Sequence, residues 1–545
     1  MNLHAPRIRD AGDSALLIEW DDAIDPAINA RAIATAAAIR GAGISGLRDV
    51  VSTYRSVAVF FDPLTVEPDT LRAPLVQLSD ERQPIAQGKT IEIPVTYGGE
   101  AGPDLAEVAE WAGLSADAVV ERHSGTDYRV FMLGFLPGLG YLGSVDATIA
   151  APRRGTPRVR VPAGSVGIAG RQTGIYPRES TGGWQLIGRT AVKVFDSSRT
   201  QPALLAPGDI VRFKPVSSSE AMPGNDAPRA SATRIGNSLR TVSVIRPGLF
   251  TTVQDRGRWG QQASAVPVSG AMDLVSHRVA NLLVGNGDDA ATLEVTLAGP
   301  ELRVEQETCV AITGADLQAS IDGGATPIGV ATRCRPGSVL RFGERHSGTR
   351  AYVAFDGGIA VPMTFGSRAT HVGAALGGID GRALAAGDRL PLGPASDRRA
   401  SWSLDAPAIP NGGARLRILP GPQDDFFAEP AFALLERTRF LVTPQSNRMG
   451  YRLSGASIPR ISDREMISDA TFVGAIQIPA SGQPILLMSD RQTTGGYPQI
   501  ATVITADLPL AGQLAPGDWV EFARCTRAEA IAALRDQEAR LGGLT

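Results

Sequence analysis

The apolar and polar positions of the first 80 or so residues predict strands alternating with helices. The nearly continuous apolar run at residues 14–20 is typical of a buried strand. A helix is predicted to start at Asp25-Pro26, because proline is favoured in the first helical turn. The predicted elements are a strand at 14–20, a helix through Ile39, two strands within 50–61 and a helix at 68–78. This pattern predicts a small α+β sandwich of the ferredoxin-like kind.

From residue 90 the pattern changes to short apolar runs separated by glycine and proline, which is typical of β-strands joined by tight turns. Helices are predicted near 104–112, 116–123, 274–283 and 527–541. Residues 216–240 lack apolar periodicity and are rich in Ser, Ala, Pro and Asn, which predicts a linker. The predicted division is an α+β domain at 1–85, a barrel at 90–215, the linker at 216–240, a β-rich domain at 241–405, a second barrel at 406–525 and a C-terminal helix at 526–545.

Three short blocks recur in the same order on both sides of the linker, which predicts a duplicated, barrel-like module. The first-half blocks are Val161-Pro162-Ala163, Arg171-Gln172-Thr173 and Pro207-Gly208-Asp209, and their second-half counterparts are Ile478-Pro479-Ala480, Arg491-Gln492-Thr493 and Pro516-Gly517-Asp518. The Pro-Gly-Asp block predicts a turn into a strand. The Arg-Gln-Thr block places a fixed cation beside an amide, a pairing suited to holding a carboxylate or phosphate. The alternative is an Arg–carboxylate bridge inside the barrel.

The composition of the chain argues against several classes of function. The net charge is −3 and no basic stripe with interleaved aromatics occurs, so nucleic acid is not an expected partner. The five histidines and three cysteines lack metal-ligand spacing, so no metal site is predicted. With no apolar run of about 18 residues and no apolar signal core, we expect a cytoplasmic protein outside the membrane. The only lysines are Lys89, Lys193 and Lys214, which leaves few candidates for a catalytic lysine.

Longer motifs in each half resemble a pair of known families. The first half resembles the KipI family, the B-type subunit of 5-oxoprolinase, on FLPGLGYL at 135–142, PAGSVGIAGRQTGIYP at 162–177 and GWQLIGRT at 183–190. The second half resembles the KipA family, the C-type subunit, on RPG at 246–248, TTVQDRGR at 251–258, SGAMD at 269–273, NRMGYRL at 447–453 and DRQTTGGYP at 490–498. The two families are usually separate chains, so residues 216–240 are expected to be the joint between them.

The resemblance implies a mainly β chain with an α+β N-terminal domain and duplicated cyclophilin-like β-barrels. It also implies ATP-dependent opening of 5-oxoproline to glutamate, with ATP and Mg²⁺ as cofactors. The implied partner, in an oligomer, is the separate A-type 5-oxoprolinase subunit of the LamB/YcsF family. The same pair of folds forms the carboxyltransferase region of urea carboxylase, so a biotin-dependent carboxyltransferase is an alternative. A non-catalytic regulator of a histidine kinase is a second alternative.

Candidate site residues follow from the chemistry of this reaction, since phosphorylating an amide oxygen requires cations for phosphate and donors for developing charge. The assigned roles are anion binding by Arg171 and Arg491, amide recognition by Gln172 and Gln492, hydrogen-bond donation by Tyr176 and Tyr497, metal or proton transfer by Asp255 and Asp273, general base for His123, and substrate binding by Arg189 and Arg448. Turn capping is the alternative for the two aspartates. A locally bonded helix-end residue is the alternative for His123.

Overall fold

The structure is a computed structural model that describes residues 5–80, 88–217, 240–395, 409–461 and 464–542. Most of the predicted linker, residues 218–239, therefore lies outside the described residues. The N-terminal domain comprises β1 (Arg7–Asp10), β2 (Ala15–Glu19), α1 (Pro26–Gly41), β3 (Leu47–Ser52), β4 (Ser56–Phe61) and α2 (Pro68–Asp80). The Asp25 side chain caps α1 by accepting hydrogen bonds from Ala27 N at 2.7 Å and Ile28 N at 3.1 Å.

The N-terminal sheet has the antiparallel order β1-β2-β4-β3, so β4 lies between β2 and β3, which α1 connects. This is the split β-α-β arrangement of ferredoxin-like domains. The outer strand beside β2 is β1, which comes from the start of the domain and does not follow α2. Both faces of the sheet are buried: Leu16 and Ile18 face the helices, and Ala15 and Leu17 face the second barrel. Burial of both faces explains the continuous apolar run in the sequence.

The second domain is a closed barrel with two helices at its side. Its elements are β5 (Thr90–Tyr97), α3 (Leu105–Ala112), α4 (Ala116–Ser124), β6 (Asp127–Leu133), β7 (Gly140–Gly143), β8 (Arg158–Val161), β9 (Ser165–Ala169), β10 (Gln172–Ile175), β11 (Ser180–Gly182), β12 (Gln185–Arg189) and β13 (Ile210–Pro215). The barrel order is β10-β7-β6-β13-β5-β12-β9, and β8 pairs with β11 as a separate ribbon. The first and last barrel strands, β5 and β13, are parallel neighbours.

The third domain packs two sheets around a common apolar core. Its elements are β14 (Thr241–Arg246), β15 (Phe250–Gln254), α5 (Leu274–Leu283), β16 (Thr292–Thr296), β17 (Glu301–Val304), β18 (Thr308–Asp316), β19 (Ser320–Ile321), β20 (Gly324–Ala325), β21 (Ala331–Cys334), β22 (Val339–Arg341), β23 (Ser347–Phe355) and β24 (Arg389–Pro391). One sheet has the order β20-β19-β22-β17-β14-β24 and the other β15-β16-β23-β18-β21.

The fourth domain is a second closed barrel. Its elements are β25 (Gly413–Pro420), α6 (Glu429–Arg437), β26 (Phe440–Val442), β27 (Gly450–Ser454), β28 (Asp469–Ala470), β29 (Ala475–Gln477), β30 (Ile485–Leu487), β31 (Thr494–Gly495), β32 (Gln499–Val503), α7 (Leu508–Gly512), β33 (Trp519–Arg524) and the C-terminal α8 (Arg527–Gly542). Around the closed ring, the order β25-β32-β29-β30-β27-β26-β33 repeats that of the first barrel strand for strand, and β28-β31 repeats the ribbon β8-β11. The two barrels therefore share one topology.

The predicted fold class, mainly β with an α+β N-terminal domain and duplicated barrels, is confirmed. The six helices predicted from sequence are present, and α6 and the short α7 were missed. Within the described ranges, no helix has the length and apolar character needed to cross a bilayer.

The N-terminal domain contacts both barrels. Asn29 on α1 donates to Phe131 O of the first barrel at 2.9 Å. Asp13 accepts hydrogen bonds from the backbone and hydroxyl of Thr505 in the fourth domain, at 2.8 and 2.6 Å. The buried Asp469 of β28 accepts hydrogen bonds from Thr53 and Ser56. This domain therefore ties the first half of the chain to the second.

Candidate functional site

The motifs of the second half converge on the buried side chain of Arg448. Its Nε and Nη2 atoms donate to the two carboxylate oxygens of Asp490, each at 3.0 Å, in a bidentate pair. Its Nη1 donates to Glu294, and Nη2 also donates to Gly270 O at 2.7 Å. Three of the motifs that carry the family resemblance, at 269–273, 447–453 and 490–498, thus meet at one guanidinium. We call Arg448, Asp490, Glu294 and Arg350 the ionic centre.

Glu294 extends the ionic centre into the third domain. It lies on β16 and accepts hydrogen bonds from Met272 N and from the Tyr352 hydroxyl, both at 2.8 Å. The same hydroxyl accepts from Asp273 N at 2.7 Å. Sequence reasoning missed Glu294 and Arg350; the available signal was a charged residue at an inward position of an otherwise apolar strand.

The charges of the ionic centre are balanced inside the protein. Burial alone would raise the pKa of Asp490, but the guanidinium of Arg448 outweighs it and holds that pKa below its usual range. Arg350 donates from Nη1 to the Tyr451 hydroxyl at 2.9 Å, while its Nε lies 3.6 Å from Glu294 and makes no hydrogen bond to a described residue. Because protein acceptors already occupy most of its N–H donors, the Arg448 guanidinium has a structural part here and few donors left for a ligand.

A cavity of about 340 Å³ lies against the ionic centre, which is near the lower limit for small-molecule sites. We call it the second-half cavity. Its wall combines Arg350, Arg448, Asp490 and Tyr451 with the exposed apolar residues Val372 and Met449. Because its charges are mutually neutralised, this cavity suits a neutral polar group better than an anion.

The two predicted aspartates have structural partners. Asp255 accepts hydrogen bonds from Gly257 N at 2.8 Å, Ser367 Oγ at 2.6 Å and Arg368 N at 2.5 Å. Asp273 caps α5 through Ser276 N at 2.9 Å and accepts a hydrogen bond from Gln513 at 2.7 Å. Burial raises the pKa of Asp273. These contacts correspond to the capping alternative, and roles in metal binding or proton transfer stay predictions.

Arg491 lies inside the protein and its cation faces no solvent. It is 2% exposed, and it donates to Gln262 Oε1 at 2.8 Å and to Thr471 O at 3.3 Å. Burial lowers the pKa of Arg491 to about 10, partly offset by the nearby carboxylate of Asp49. Of its motif neighbours, Gln492 is half-buried and Tyr497 is 47% exposed. As placed, Arg491 links the third and fourth domains and does not reach the second-half cavity.

The Arg-Gln-Thr motif of the first half has a different environment. Arg171 is exposed at the turn between β9 and β10, and its side chain makes no hydrogen bond or ion pair with a described residue, although it contributes weakly to lowering the pKa of Asp146. Gln172 donates to the Tyr54 hydroxyl at 2.7 Å, which joins the motif to the N-terminal domain. Tyr176 is buried edge-on against Trp184 with ring centroids 6.1 Å apart, and burial raises its pKa to about 12.

The two Arg-Gln-Thr motifs are not the same repeated element, so the expected repeat register is wrong. Arg171 directly precedes β10, whereas Arg491 follows β30, the strand equivalent to β10. In the first barrel the place of Arg491, just before the outer ribbon strand, belongs to Arg178. The sequences agree with this register, because Ser-Thr-Gly-Gly-Trp at 180–184 corresponds to Thr-Thr-Gly-Gly-Tyr at 493–497. Of the three recurring blocks, only Pro-Gly-Asp precedes equivalent strands in both barrels.

His123 lies in the core of the first barrel, 0% exposed and stacked on Phe213. Its Nδ1 lies 2.8 Å from the Tyr97 hydroxyl and its Nε2 lies 2.9 Å from Thr173 Oγ1. Because Thr173 donates its own proton to Gly167 O, its oxygen accepts from Nε2–H, and Nδ1 accepts from Tyr97. Any proton exchange between His123 and a bound substrate would pass through Tyr97.

We expect His123 to make folding sensitive to mild acid. Burial lowers its pKa to about 3, whereas an unfolded histidine takes up a proton near pH 6.5. Protonation therefore favours the unfolded chain, and this residue should cost about 2 kcal/mol of stability between pH 7 and pH 5. Urea unfolding at pH 7, 6 and 5 should show a shallower loss for His123→Gln than for the wild type. Parallel pH profiles would contradict this assignment.

Arg189 lies at the end of β12, exposed, in the wall of a cavity of about 810 Å³ beside the first barrel. We call this the first-half cavity. It is separate from Arg171, because β9 and β10 carry Arg171 at one end of their hairpin and Gly164 and Pro177, which line the cavity, at the other. Among the described residues, no group of three or more His, Cys, Asp or Glu side chains is arranged to hold a metal ion.

Both halves are similar to known carboxyltransferase-domain proteins, and each half is similar to a different subunit of 5-oxoprolinase. Residues 6–205 match the family described as "Carboxyltransferase domain, subdomain C and D", and residues 264–524 match "Carboxyltransferase domain, subdomain A and B". The chain is 40% identical to the C-type subunit of 5-oxoprolinase from Escherichia coli over 297 residues, which is 54% of this chain and 95% of that protein. It is 40% identical to the B-type subunit of 5-oxoprolinase from Bacillus subtilis over 226 residues, 39% of this chain and 94% of that protein.

The arrangement of the two halves also has a solved counterpart. The crystal structure of TTHA0988 aligns over 95% of this chain and 100% of its own, with 35% sequence identity and a TM-score of 0.83. The alignment extends across both barrels, so the relative placement of the halves is shared along with the individual domains.

Proposed function

Because the chain belongs to the family of B-type and C-type 5-oxoprolinase subunits, with both joined in one polypeptide, we propose that it is the combined B–C component of an ATP-dependent 5-oxoprolinase. With a separate A-type subunit of the LamB/YcsF family, it would open 5-oxo-L-proline to L-glutamate. The observation that supports this most strongly is coverage. The two halves span 94% of a B-type relative and 95% of a C-type relative, in that order along the chain.

The reaction sets the requirements for the site. A lactam is a stable amide, and phosphorylating its oxygen makes the ring carbon a better electrophile. Water adds to that carbon, the C–N bond breaks with proton transfer to nitrogen, and the resulting acyl phosphate is hydrolysed to glutamate and phosphate. The site must neutralise phosphate charge and hold the substrate carboxylate, a task that preorganised cations perform best. Mg²⁺, when bound, supplies part of this neutralisation. Since the described residues offer no dedicated metal cage, we propose that Mg²⁺ enters with the phosphates of ATP.

The arginines divide into two groups with different parts in this proposal. Arg448 and Arg491 donate to protein acceptors, so they would fix the walls and the domain interface. The side chains of Arg171 and Arg189 are exposed and make no hydrogen bond or ion pair with any residue in the described ranges. We therefore assign anion binding to the first half, and the symmetric pair of clamps predicted from the repeat becomes an asymmetric arrangement.

The test is a coupled assay. Purified chain, its LamB/YcsF-type partner, ATP, Mg²⁺ and 5-oxoproline should yield glutamate and ADP together, with neither product when the partner or ATP is omitted. Arg171→Ala should lower kcat/KM by about 10- to 100-fold, if its cation meets an anion in the transition state. Arg212→Ala is the matched control, because Arg212 is exposed and paired with Asp127. Full turnover by Arg171→Ala would remove Arg171 from the mechanism.

Carboxyl transfer is the second candidate, favoured by the carboxyltransferase name of both matched families. It would act on urea or another small amide and would need a biotin carboxylase and a biotin carrier. Absence of glutamate from a folded complex, together with carboxylation of an amide by added biotinylated carrier, would favour it over the oxoprolinase.

A further inference from the structure

The first-half cavity has the size of a small-molecule site. Its volume of about 810 Å³ lies in the range of roughly 300–1,000 Å³ that small-molecule sites occupy. Its wall comprises Tyr97, the turn at residues 98–101, Gly164, Pro177, Arg189, Thr190, Val192 and Lys193 among others. Strand ends of the barrel and the segment after β12 form it. None of the second-half motifs takes part.

Two cationic side chains line this wall without a partner among the described residues. Arg189 is exposed at the end of β12, and Lys193 is one of three lysines in the chain. Neither side chain makes a hydrogen bond or an ion pair with any residue that the structure describes. The pKa of Asp196 is lowered mainly by hydrogen bonds from Ser198, and Lys193 lowers it only slightly. By contrast, Lys214 pairs with Glu92 at 2.7 Å.

The charge of the wall is positive overall. Glu100 is the one carboxylate among the described residues that line the cavity, set against the two cations Arg189 and Lys193. An anion entering this cavity would therefore meet cations that need not break an existing ion pair. An exposed cation that is already paired, such as Arg212 with Asp127, would have to break its ion pair before it could bind an anion.

Backbone donors add to these cations. Gly98 and Gly99 have φ values of 70° and 52°, a left-handed conformation that glycine adopts without strain. The Gly98 N–H is bonded to Ile187 O at 3.1 Å, but the N–H groups of residues 99, 100 and 101 donate to no described residue. These consecutive amides belong to residues that line the cavity. Successive unpaired N–H groups beside cations are characteristic of anion sites, above all phosphate sites.

We propose that the first-half cavity binds a ligand bearing phosphate groups, with Arg189, Lys193 and the 98–101 turn meeting the phosphates. Its identification as a nucleoside triphosphate rests on the proposed function; a free polyphosphate would use the same groups. Tyr97, Val192 and Pro177 provide the less polar wall that a nucleoside needs. The second-half cavity is the poorer anion site, because its Arg448 is paired with carboxylates.

The cavity is also connected to the core of the barrel. Tyr97 in its wall donates to His123, and His123 contacts Thr173 of the Arg-Gln-Thr motif. A ligand seated against Tyr97 would therefore lie two hydrogen bonds away from that motif. In this proposal His123 and Thr173 position Tyr97 and do not contact the ligand themselves.

Calorimetric titration of the full chain with ATP and with tripolyphosphate tests the proposal. We expect both probes to bind and the double variant Arg189→Ala/Lys193→Ala to bind each about 100-fold more weakly or worse, at about tenfold or more per cation. The charge-retaining Arg189→Lys/Lys193→Arg variant should recover most of the affinity, and Lys214→Ala should bind as the wild type does. Unchanged melting temperatures are expected, because neither replaced side chain makes a hydrogen bond or ion pair with a residue that the structure describes.

Tighter binding of ATP than of tripolyphosphate would identify the nucleotide as the ligand; equal binding would support a polyphosphate site. Failure of the wild type to bind either probe, or wild-type affinity in the alanine double variant, would overturn the proposal. The coupled glutamate assay is independent of it. If the double variant forms glutamate as the wild type does, this site is refuted and the proposed function stands. If ATP binds here but no glutamate forms, the site stands and the proposed function is refuted.

Discussion

Replacing Arg448 with alanine is expected to lower the free energy of unfolding by about 3–5 kcal/mol, the range seen when one partner of a buried ion pair is removed. The variant leaves the carboxylates of Asp490 and Glu294 buried without their main cation. It also removes the hydrogen bond to Gly270 O, a further contact between Arg448 of the fourth domain and the third domain. Several buried contacts are therefore lost together.

Thermal and urea unfolding of the Arg448→Ala variant would measure this loss. Arg212→Ala is the matched control, expected to cost less than about 1 kcal/mol because its ion pair is solvent-exposed. The deficit should narrow in acid, since a protonated Asp490 no longer needs a cation. A deficit below about 1 kcal/mol at pH 7 would show that Arg448 is not structural, and would favour the substrate-binding role predicted from its motif.

A single methyl group added at Gly134 is expected to strain the contact between the two halves of the chain. An alanine Cβ there would clash with Thr494 Oγ1 and lie 2.9 Å from Thr494 Cβ, and the threonine is buried. The two residues belong to different barrels, so relief of the clash requires the halves to move apart. Overpacking of this kind costs about 1–3 kcal/mol. Because this contact lies beside motifs of both halves, turnover in the proposed 5-oxoprolinase reaction should fall together with stability.

A double-mutant cycle isolates the cause. Thr494→Gly removes the side-chain atoms that the new methyl group would meet, so Gly134→Ala/Thr494→Gly should recover most of the stability lost by Gly134→Ala alone. Additive losses in the double variant would show that Gly134 matters through its backbone and not through the interface. Unfolding midpoints and turnover should be measured for all four proteins.

Local sequence patterns predicted the elements well and their long-range partners poorly. The helix predicted near 274–283 is present at Leu274–Leu283, where apolar spacing and the capping Asp273 are both local features. The 429–437 helix was missed. The repeat predicted two barrels but with the wrong register. Arg-Gln-Thr recurs at two different turns, and only the strand order reveals that Arg178 occupies the place of Arg491.

The candidate site shows the same limit. Sequence motifs identified Arg448, but its partner Glu294 lies 154 residues away on a strand of another domain. Likewise, the burial of Arg491 depends on Gln262 and Thr471, which no local pattern connects to it. Whether an arginine is free to meet a ligand depends on such partners. Sequence alone could therefore propose four arginines as ligand binders without separating the two exposed ones from the two enclosed ones.

The covalent joining of the two halves, together with the contacts of the N-terminal domain to both barrels, makes their association independent of protein concentration. Where the two families occur as separate chains, association depends on their concentrations and an excess of one leaves unpaired subunits. Here the halves are covalently joined, which fixes their ratio at one to one and replaces a bimolecular equilibrium with an intramolecular one at an effective concentration of order millimolar. The hydrogen bonds that Asp13 and Asp469 accept then need to fix only the relative orientation of the two halves, because the covalent link already holds the halves close together.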